Sequence, residues 1–145
     1  LTQRQGLNRP IGWWLKEADA RLEAAFTAAL DEVGADRRTW QVMTTVSRKP
    51  TARAEVVSAL QPFDPPAAVD QVIDTLIADK LVEEGGDGLL RLTAAGEQRH
   101  ATLAPLVDKV RGRVREVLSD DEYATLVDLL ARLVHGLPEP SGRPT

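Results

Sequence analysis

Residues 65–96 read PPAAVDQVIDTLIADKLVEEGGDGLLRLTAAG, and their spacing implies three successive elements. A helix runs from about Pro66 to Lys80, where Val69, Val72, Ile73, Leu76 and Ile77 recur at three- and four-residue intervals. Two short strand candidates, Leu81–Glu84 and Leu89–Thr93, flank Gly85-Gly86-Asp87-Gly88, whose glycines tolerate the positive φ of a tight hairpin. Thr93 can cap a further helix that starts with Ala94 to Gly96. A helix, a hairpin and a helix in this order are the layout of a winged helix-turn-helix. The exposed side of the first of these helices is unusual for that layout. It carries Asp70, Asp74 and Asp79, and Lys80 at its end is its one base.

The flanking sequence supplies more helices. Ile11, Trp14, Leu15, Ala18, Leu22, Ala25, Phe26, Ala29, Leu30 and Val33 keep helical spacing as far as Gly34, a natural stop. The apolar face of this helix is too broad for one small domain to cover, so a second subunit is expected against it. Trp40, Val42, Met43 and Val46 define a helix from about Asp36 to Arg48. After Pro50, a third runs from Thr51 to Leu60, with Thr51 as its cap, and the prolines of residues 61–66 force a turn before the helix of the opening stretch. Downstream, Leu103, Leu106, Val107, Val110, Val114, Val117 and Leu118 carry a long helix that Pro105 should kink or break. Ser119 and Glu122 form a capping box for a last helix, which Gly136 and Pro138 end. The fold class is therefore mainly α, with a small two- or three-stranded β wing. Residues 1–10 read as a flexible arm, 11–137 as one domain and 138–145 as a disordered tail. Within the domain, 36–96 form the winged helix-turn-helix, and 11–34 and 97–137 the dimerisation helices.

Composition narrows the functional classes. The 145 residues are 43% hydrophobic, enough for one sizeable core, and carry a net charge of -4. An acidic balance is atypical of a nucleic-acid binder. There is no cysteine, which excludes disulfides, zinc–thiolate sites and thiol nucleophiles and fits a cytoplasmic setting. No apolar run reaches membrane-spanning length. His100 and His135 have no metal-ligand spacing, no serine has a triad pattern, and Gly85-Gly86-Asp87-Gly88 lacks the lysine of a phosphate loop. The sequence thus reads as a non-enzyme with no cofactor and no metal.

The order of elements, together with Val69–Asp74–Leu76–Leu81–Val82 followed by Leu90–Leu92–Thr93–Gly96, resembles the MarR family of bacterial transcription regulators. The resemblance spans roughly Pro10 to Leu137 and implies a homodimer that binds double-stranded DNA under the control of a small aromatic effector. It places Ala67, Asp70, Gln71 and Thr75 toward the major groove. Arg48, Lys49 and Arg53, with Arg91 in the wing, become candidate phosphate contacts, and Arg37, Arg38, Arg4 and Arg9 further anchors. Asp74 matches a position that tends to be structural. Trp13, Trp14, Trp40, Met43 and His100 are the candidate effector-binding residues, with core and dimer packing as their alternative role. The sequence departs from the family where DNA contact occurs. Asp70-Gln71 stands where a Thr-Arg pair is frequent, Thr75 where a second base is common, and the hairpin tip has no arginine. Because affinity for DNA rests largely on Lys and Arg at phosphates, a second reading stands beside the first. It is a winged-helix module with lost or weakened DNA binding that acts through protein or small-ligand contacts.

Overall fold

The structure, a computed structural model, describes Gly6 and residues 8–141. Its elements are α1 (Ile11–Asp31), α2 (Arg37–Arg48), β1 (Thr51–Ala52), α3 (Arg53–Ala59), α4 (Pro66–Ala78), β2 (Val82–Glu84), β3 (Leu89–Leu92), α5 (Ala94–Val117) and α6 (Asp120–Gly136). The chain divides into two compact units, Leu1–Val110 and Arg111–Thr145, and α5 runs through the boundary. No helix among the described residues is long and apolar enough to cross a membrane.

In the first unit, α2 supplies side chains to two cores. Val42, Met43 and Val46 pack with Val56 and Leu60 of the α3 segment, Val69, Ile73 and Leu76 of α4, and Val82 and Leu90 of the wing. Trp40 turns the other way and packs with Leu30, Leu103 and Val107. The imidazole of His100 lies parallel to the Trp40 ring at 4.4 Å, and its Nε2 is 3.0 Å from the Thr44 hydroxyl. Asp36 caps α2 by accepting from the Thr39 amide. Gly34, at φ +69°, turns the chain out of α1.

The sheet has the order β1-β3-β2, with both pairings antiparallel. Its third strand corrects the expected cap. Thr51 and Ala52 pair with Leu90 and Leu89, so α3 begins only at Arg53 and has no side-chain cap. The Thr51 hydroxyl instead donates to the Lys49 carbonyl, and the residue is buried. Of the two outcomes expected at Pro105, a break does not occur: the residue lies within a continuous α5.

The junction of α4, the wing and α5 has a demanding geometry. Lys80, at φ 62°, reverses the chain after α4. The Thr93 hydroxyl donates to the Lys80 carbonyl and accepts from the Gly96 amide, so it closes this turn and caps α5 together. The Thr93 amide donates to the Leu81 carbonyl at 3.0 Å. A Cβ on Gly96 would stand 2.0 Å from that same carbonyl oxygen. The Leu-Thr-x-x-Gly spacing is thus a cap followed by a close backbone approach.

In the second unit, Ser119 and Glu122 form the reciprocal capping box expected for α6, with Asp120 and Asp121 favourably placed in its first turn. No residue of α6 is buried, and Tyr123, Leu126, Val127, Leu129 and Val134 are exposed. On α1, Ile11, Trp14, Leu15 and Leu22 are exposed as well. The arm expected over residues 1–10 and the tail over 138–145 fall partly outside the described residues, as does Arg4.

Gly96→Ala should cost about 3 kcal/mol, because the backbone it strikes cannot yield cheaply, while Gly86→Ala, which meets nothing within 4 Å, should be near neutral; urea denaturation of both variants checks this. Burial also holds the His100 imidazole below its ordinary pKa of 6.5. The unfolded chain therefore binds this proton first as pH falls. The stability due to neutral His100 is complete above the ordinary value and is lost as pH falls through the folded one. The urea midpoint should decline on acidification below about pH 6.5, and His100→Phe should remove that component of the slope.

Candidate nucleic-acid interface

The outward side of α4 carries two adjacent stripes. Ala67, Gln71 and Thr75 stand four residues apart and are exposed. Asp70 and Asp74, also four apart, form the neighbouring stripe. The two stripes differ in their bonding. Arg53, the first residue of α3, reaches across to the acidic one: its Nη2 is 2.9 Å from Asp74 Oδ1, and its Nη1 is 3.4 Å from both the Asp70 carboxylate and the Asp70 carbonyl. Desolvation is the largest influence on the Arg53 guanidinium and opposes its charge, but the hydrogen bonds and charges of Asp74 and Asp70 outweigh it and raise its pKa. With the carboxylates substantially exposed, such a bridge contributes about 1 kcal/mol at most. Its effect on the surface charge is larger, since one cation lies across two anions on the helix expected to face DNA.

Arg53, expected as a phosphate contact, is therefore engaged by α4. Arg91 is engaged too. It lies opposite Glu83 in the β2–β3 ladder, and its Nη2 is 2.9 Å from Asp87 Oδ2 in the hairpin turn. That hydrogen bond raises the pKa of Arg91 and lowers that of Asp87, whose carboxylate also accepts from the Leu89 amide. Arg37 pairs with Glu23 and lies over the rings of Phe26 and Phe63, and Arg38 pairs with Asp64 in the turn before α4. Arg9 sits over the Trp13 ring at 4.2 Å. Arg48 and Lys49, by contrast, are exposed at the end of α2, and Lys80 is exposed just past α4; among the described residues none of the three makes an ion pair.

The Thr75 hydroxyl donates to the Gln71 carbonyl, which leaves its methyl and oxygen lone pairs outward. The outward stripe of α4 is thus an amide, a methyl and a hydroxyl committed as donor. It holds no charge of its own.

The candidate effector residues fall in separate places. Met43 is fully buried in the core, and Trp40 is buried against His100. Trp13 and Trp14 form an edge-to-face pair on α1, with ring centroids 4.6 Å apart. A cleft of about 400 Å³ lies elsewhere in the same unit. Asp19 and Glu23 of α1, Arg37 and Arg38 of α2, and Phe63 and Asp64 of the α3–α4 turn line it, and none of the five candidates does. Sequence reasoning missed this cleft, because its walls come from three segments without a shared motif. No group of His, Asp and Glu among the described residues is arranged to hold a metal ion.

Removing the bridging guanidinium gives a direct check on the paired stripe. Arg53→Ala should lower stability by about 1 kcal/mol in low salt, and the difference from the unmodified protein should shrink in 1 M salt, read as urea midpoints.

No protein-family model matches the sequence, and no curated protein is significantly similar to it. Solved structures are similar in fold. The reduced form of MarR from E. coli superposes with a TM-score of 0.69 at 21% identity, covering 90% of this chain and 95% of that one. The Mycobacterium tuberculosis MarR-family protein Rv2887, in complex with DNA, gives 0.69 at 22% identity over 86% of this chain and 98% of that one. The transcriptional repressor CouR, bound to p-coumaroyl-CoA, gives 0.77 at 21% identity over 90% and 96%. The wing, the capped junction into α5 and the six helices in this order are, with these superpositions, the winged helix-turn-helix fold of the MarR-family regulators.

Proposed function

We propose that this protein is a cytoplasmic transcription regulator that binds double-stranded DNA as a homodimer and responds to a small aromatic molecule. The observation that carries the proposal is the division of the α4 surface. Arg53 lies across Asp70 and Asp74 and offsets one of their two negative charges, so the uncharged stripe Ala67–Gln71–Thr75 can approach a major groove with less repulsion beside it. Arg48, Lys49 and Lys80 supply the unpaired positive charge for phosphates at either end of the helix-turn-helix. Base contacts select a sequence, but phosphate contacts hold the protein in register, and three cations per protomer are a modest set. The similarity in fold to Rv2887 in its DNA complex supports the same reading.

The homodimer rests on the apolar side chains left exposed on α1 and α6. A second copy of the chain is the natural cover, because the exposed residues belong to helices and their burial needs no refolding. Effector control is supported by the ligands of the structural relatives, salicylic acid for Rv2887 and p-coumaroyl-CoA for CouR. On this chain, two surfaces are open to a ring: the Trp13–Trp14 pair and the cleft beside Phe63. Occupancy of the cleft bears on α4, because the Arg38–Asp64 pair ties α2 to the turn from which α4 starts.

A specific observation favours the alternative, a winged helix that no longer binds DNA. Asp79, Glu83, Glu84 and Asp87 crowd the end of α4 and the wing, and Arg91 is committed to Asp87. Fluorescence anisotropy with duplexes from the region upstream of its own gene separates the two readings. The regulator should bind at low salt, and its mass in solution should be twice 15.8 kDa. An intact dimer with no affinity for any duplex at low salt supports the alternative. For the DNA-binding form, Arg48→Ala and Lys49→Ala should each weaken all duplexes alike and flatten the logarithmic salt dependence by about 0.9 for each phosphate that the side chain had neutralised. Salicylate or p-coumarate at saturation should shift the duplex affinity or quench the tryptophan emission.

A further inference from the structure

The backbone of Arg53 is fixed before its side chain meets a partner. The two residues ahead of it, Thr51 and Ala52, pair with Leu90 and Leu89 of the wing, and Thr51 is buried. Arg53 opens α3 directly after them, so its backbone is anchored against the wing sheet and only its side chain is left to turn. Arg48 and Lys49, exposed and without an ion pair among the described residues, precede it closely in the chain.

Two carboxylates of α4 decide where the guanidinium points. Its Nη2 donates to Asp74 Oδ1 at 2.9 Å, and its Nη1 donates at 3.4 Å to the carboxylate and the carbonyl of Asp70. One cation against two anions leaves the cluster net negative. A phosphate near it meets a surplus of negative charge, although an arginine lies in its midst. The carboxylates of Asp70 and Asp74 are 47% and 69% exposed, and the Arg53 side chain is 34% exposed. Bridges this open to water are weak and exchange readily. The guanidinium is thus oriented by α4 but not buried by it, and a change of partner needs no repacking of the core.

We propose that Asp70 and Asp74 restrain the affinity for DNA: they hold Arg53 against α4, and in their absence its guanidinium serves as a further phosphate contact. This rests on the DNA-binding function proposed above and adds that the native affinity is set below what the arginines of the motif allow. Phosphate contacts carry no sequence information, so the restraint lowers the affinity for every duplex alike and leaves selection to the contacts with bases. Loss of the two carboxylates has a second effect, the relief of repulsion. The two effects are separable, because only the release of Arg53 requires Arg53.

The test is a double-mutant cycle on the full chain, read by fluorescence anisotropy. It uses a duplex from the region upstream of its own gene and an unrelated duplex of the same length. The double variant Asp70→Ala, Asp74→Ala is compared with the unmodified protein, and the same two substitutions are compared again in the Arg53→Ala background. Alanine on the exposed side of a helix preserves α4, which circular dichroism verifies. Relief of repulsion should raise the affinity for both duplexes in both backgrounds. The gain should be severalfold larger with Arg53 present, and this excess should itself shrink about 3.5-fold from about 50 to 200 mM salt, the dependence of one more neutralised phosphate. An equal or smaller gain with Arg53 present means that the carboxylates act by repulsion alone; it overturns the restraint and leaves DNA binding standing. A gain confined to one duplex belongs to base contacts and overturns the restraint as well. Binding by the double variant alone, lost again with Arg53→Ala, supports the restraint and overturns DNA binding by the native chain. No binding by any variant at low salt overturns both.

Discussion

The approach of Gly96 to the Leu81 carbonyl, within a distance that no side chain could share, joins the functional elements of the first unit. Leu81 follows the end of α4 and precedes β2, while Gly96 lies in the first turn of α5. Their contact draws together α4, the wing and the start of α5 in one place. Thr93 completes the junction, with its hydroxyl bonded to the Lys80 carbonyl and the Gly96 amide. Two backbone groups that would otherwise lack partners, one at the reversal and one at a helix end, are satisfied by this single hydroxyl. Because β3 leads directly into this junction, its position sets where Leu90 enters the core and where Arg91 stands on the wing.

Upon that frame, charge decides what the surface can do. An acidic α4 would repel phosphates if its carboxylates were bare. Arg53 converts Asp70 and Asp74 into an internal tie between α3 and α4, and the two helices of the motif gain an electrostatic contact as well as a shared apolar core. The tie has a cost elsewhere. The guanidinium that serves α4 is not free for another partner, and the same is true of Arg91, held by Asp87, and of Arg37 and Arg38, held by Glu23 and Asp64. Counted by residue type, the helix-turn-helix is well supplied with arginine. Counted by what is unpaired, its positive charge reduces to Arg48, Lys49 and Lys80, which makes any DNA contact more dependent on base and shape complementarity than on counterion release.

Much of the fold was legible because it follows from local rules. The α4 stripe from Val69 to Ile77, the glycine hairpin and the Ser119–Glu122 capping box are each contained within one element and its flanks. Thr51 escapes the same reasoning. A two-residue strand has no periodicity, and a threonine before a helix has the look of a cap; only its pairing with Leu90 gives it an extended partner. Pro105, expected to kink or break its helix, lies within a continuous α5, so of the two outcomes a break is excluded. The candidate site was less legible than the fold. Its residue types were visible, but the partners of Arg53 lie 17 and 21 residues away, and no spacing rule joins them.

The sequence by itself determined the elements, their order, the glycine and threonine at the wing junction, and the acidic character of α4, because periodicity, capping and backbone freedom act over a few residues. Tertiary structure alone decided which charges remain free. Arg53 differs from Arg48 in no property that a sequence displays. It differs in having a carboxylate within about 3 Å, and that distance exists only once α3 and α4 have packed, whereas Arg91 meets Asp87 within the one hairpin. The packing that buries the core therefore also selects which cations are left to meet a partner.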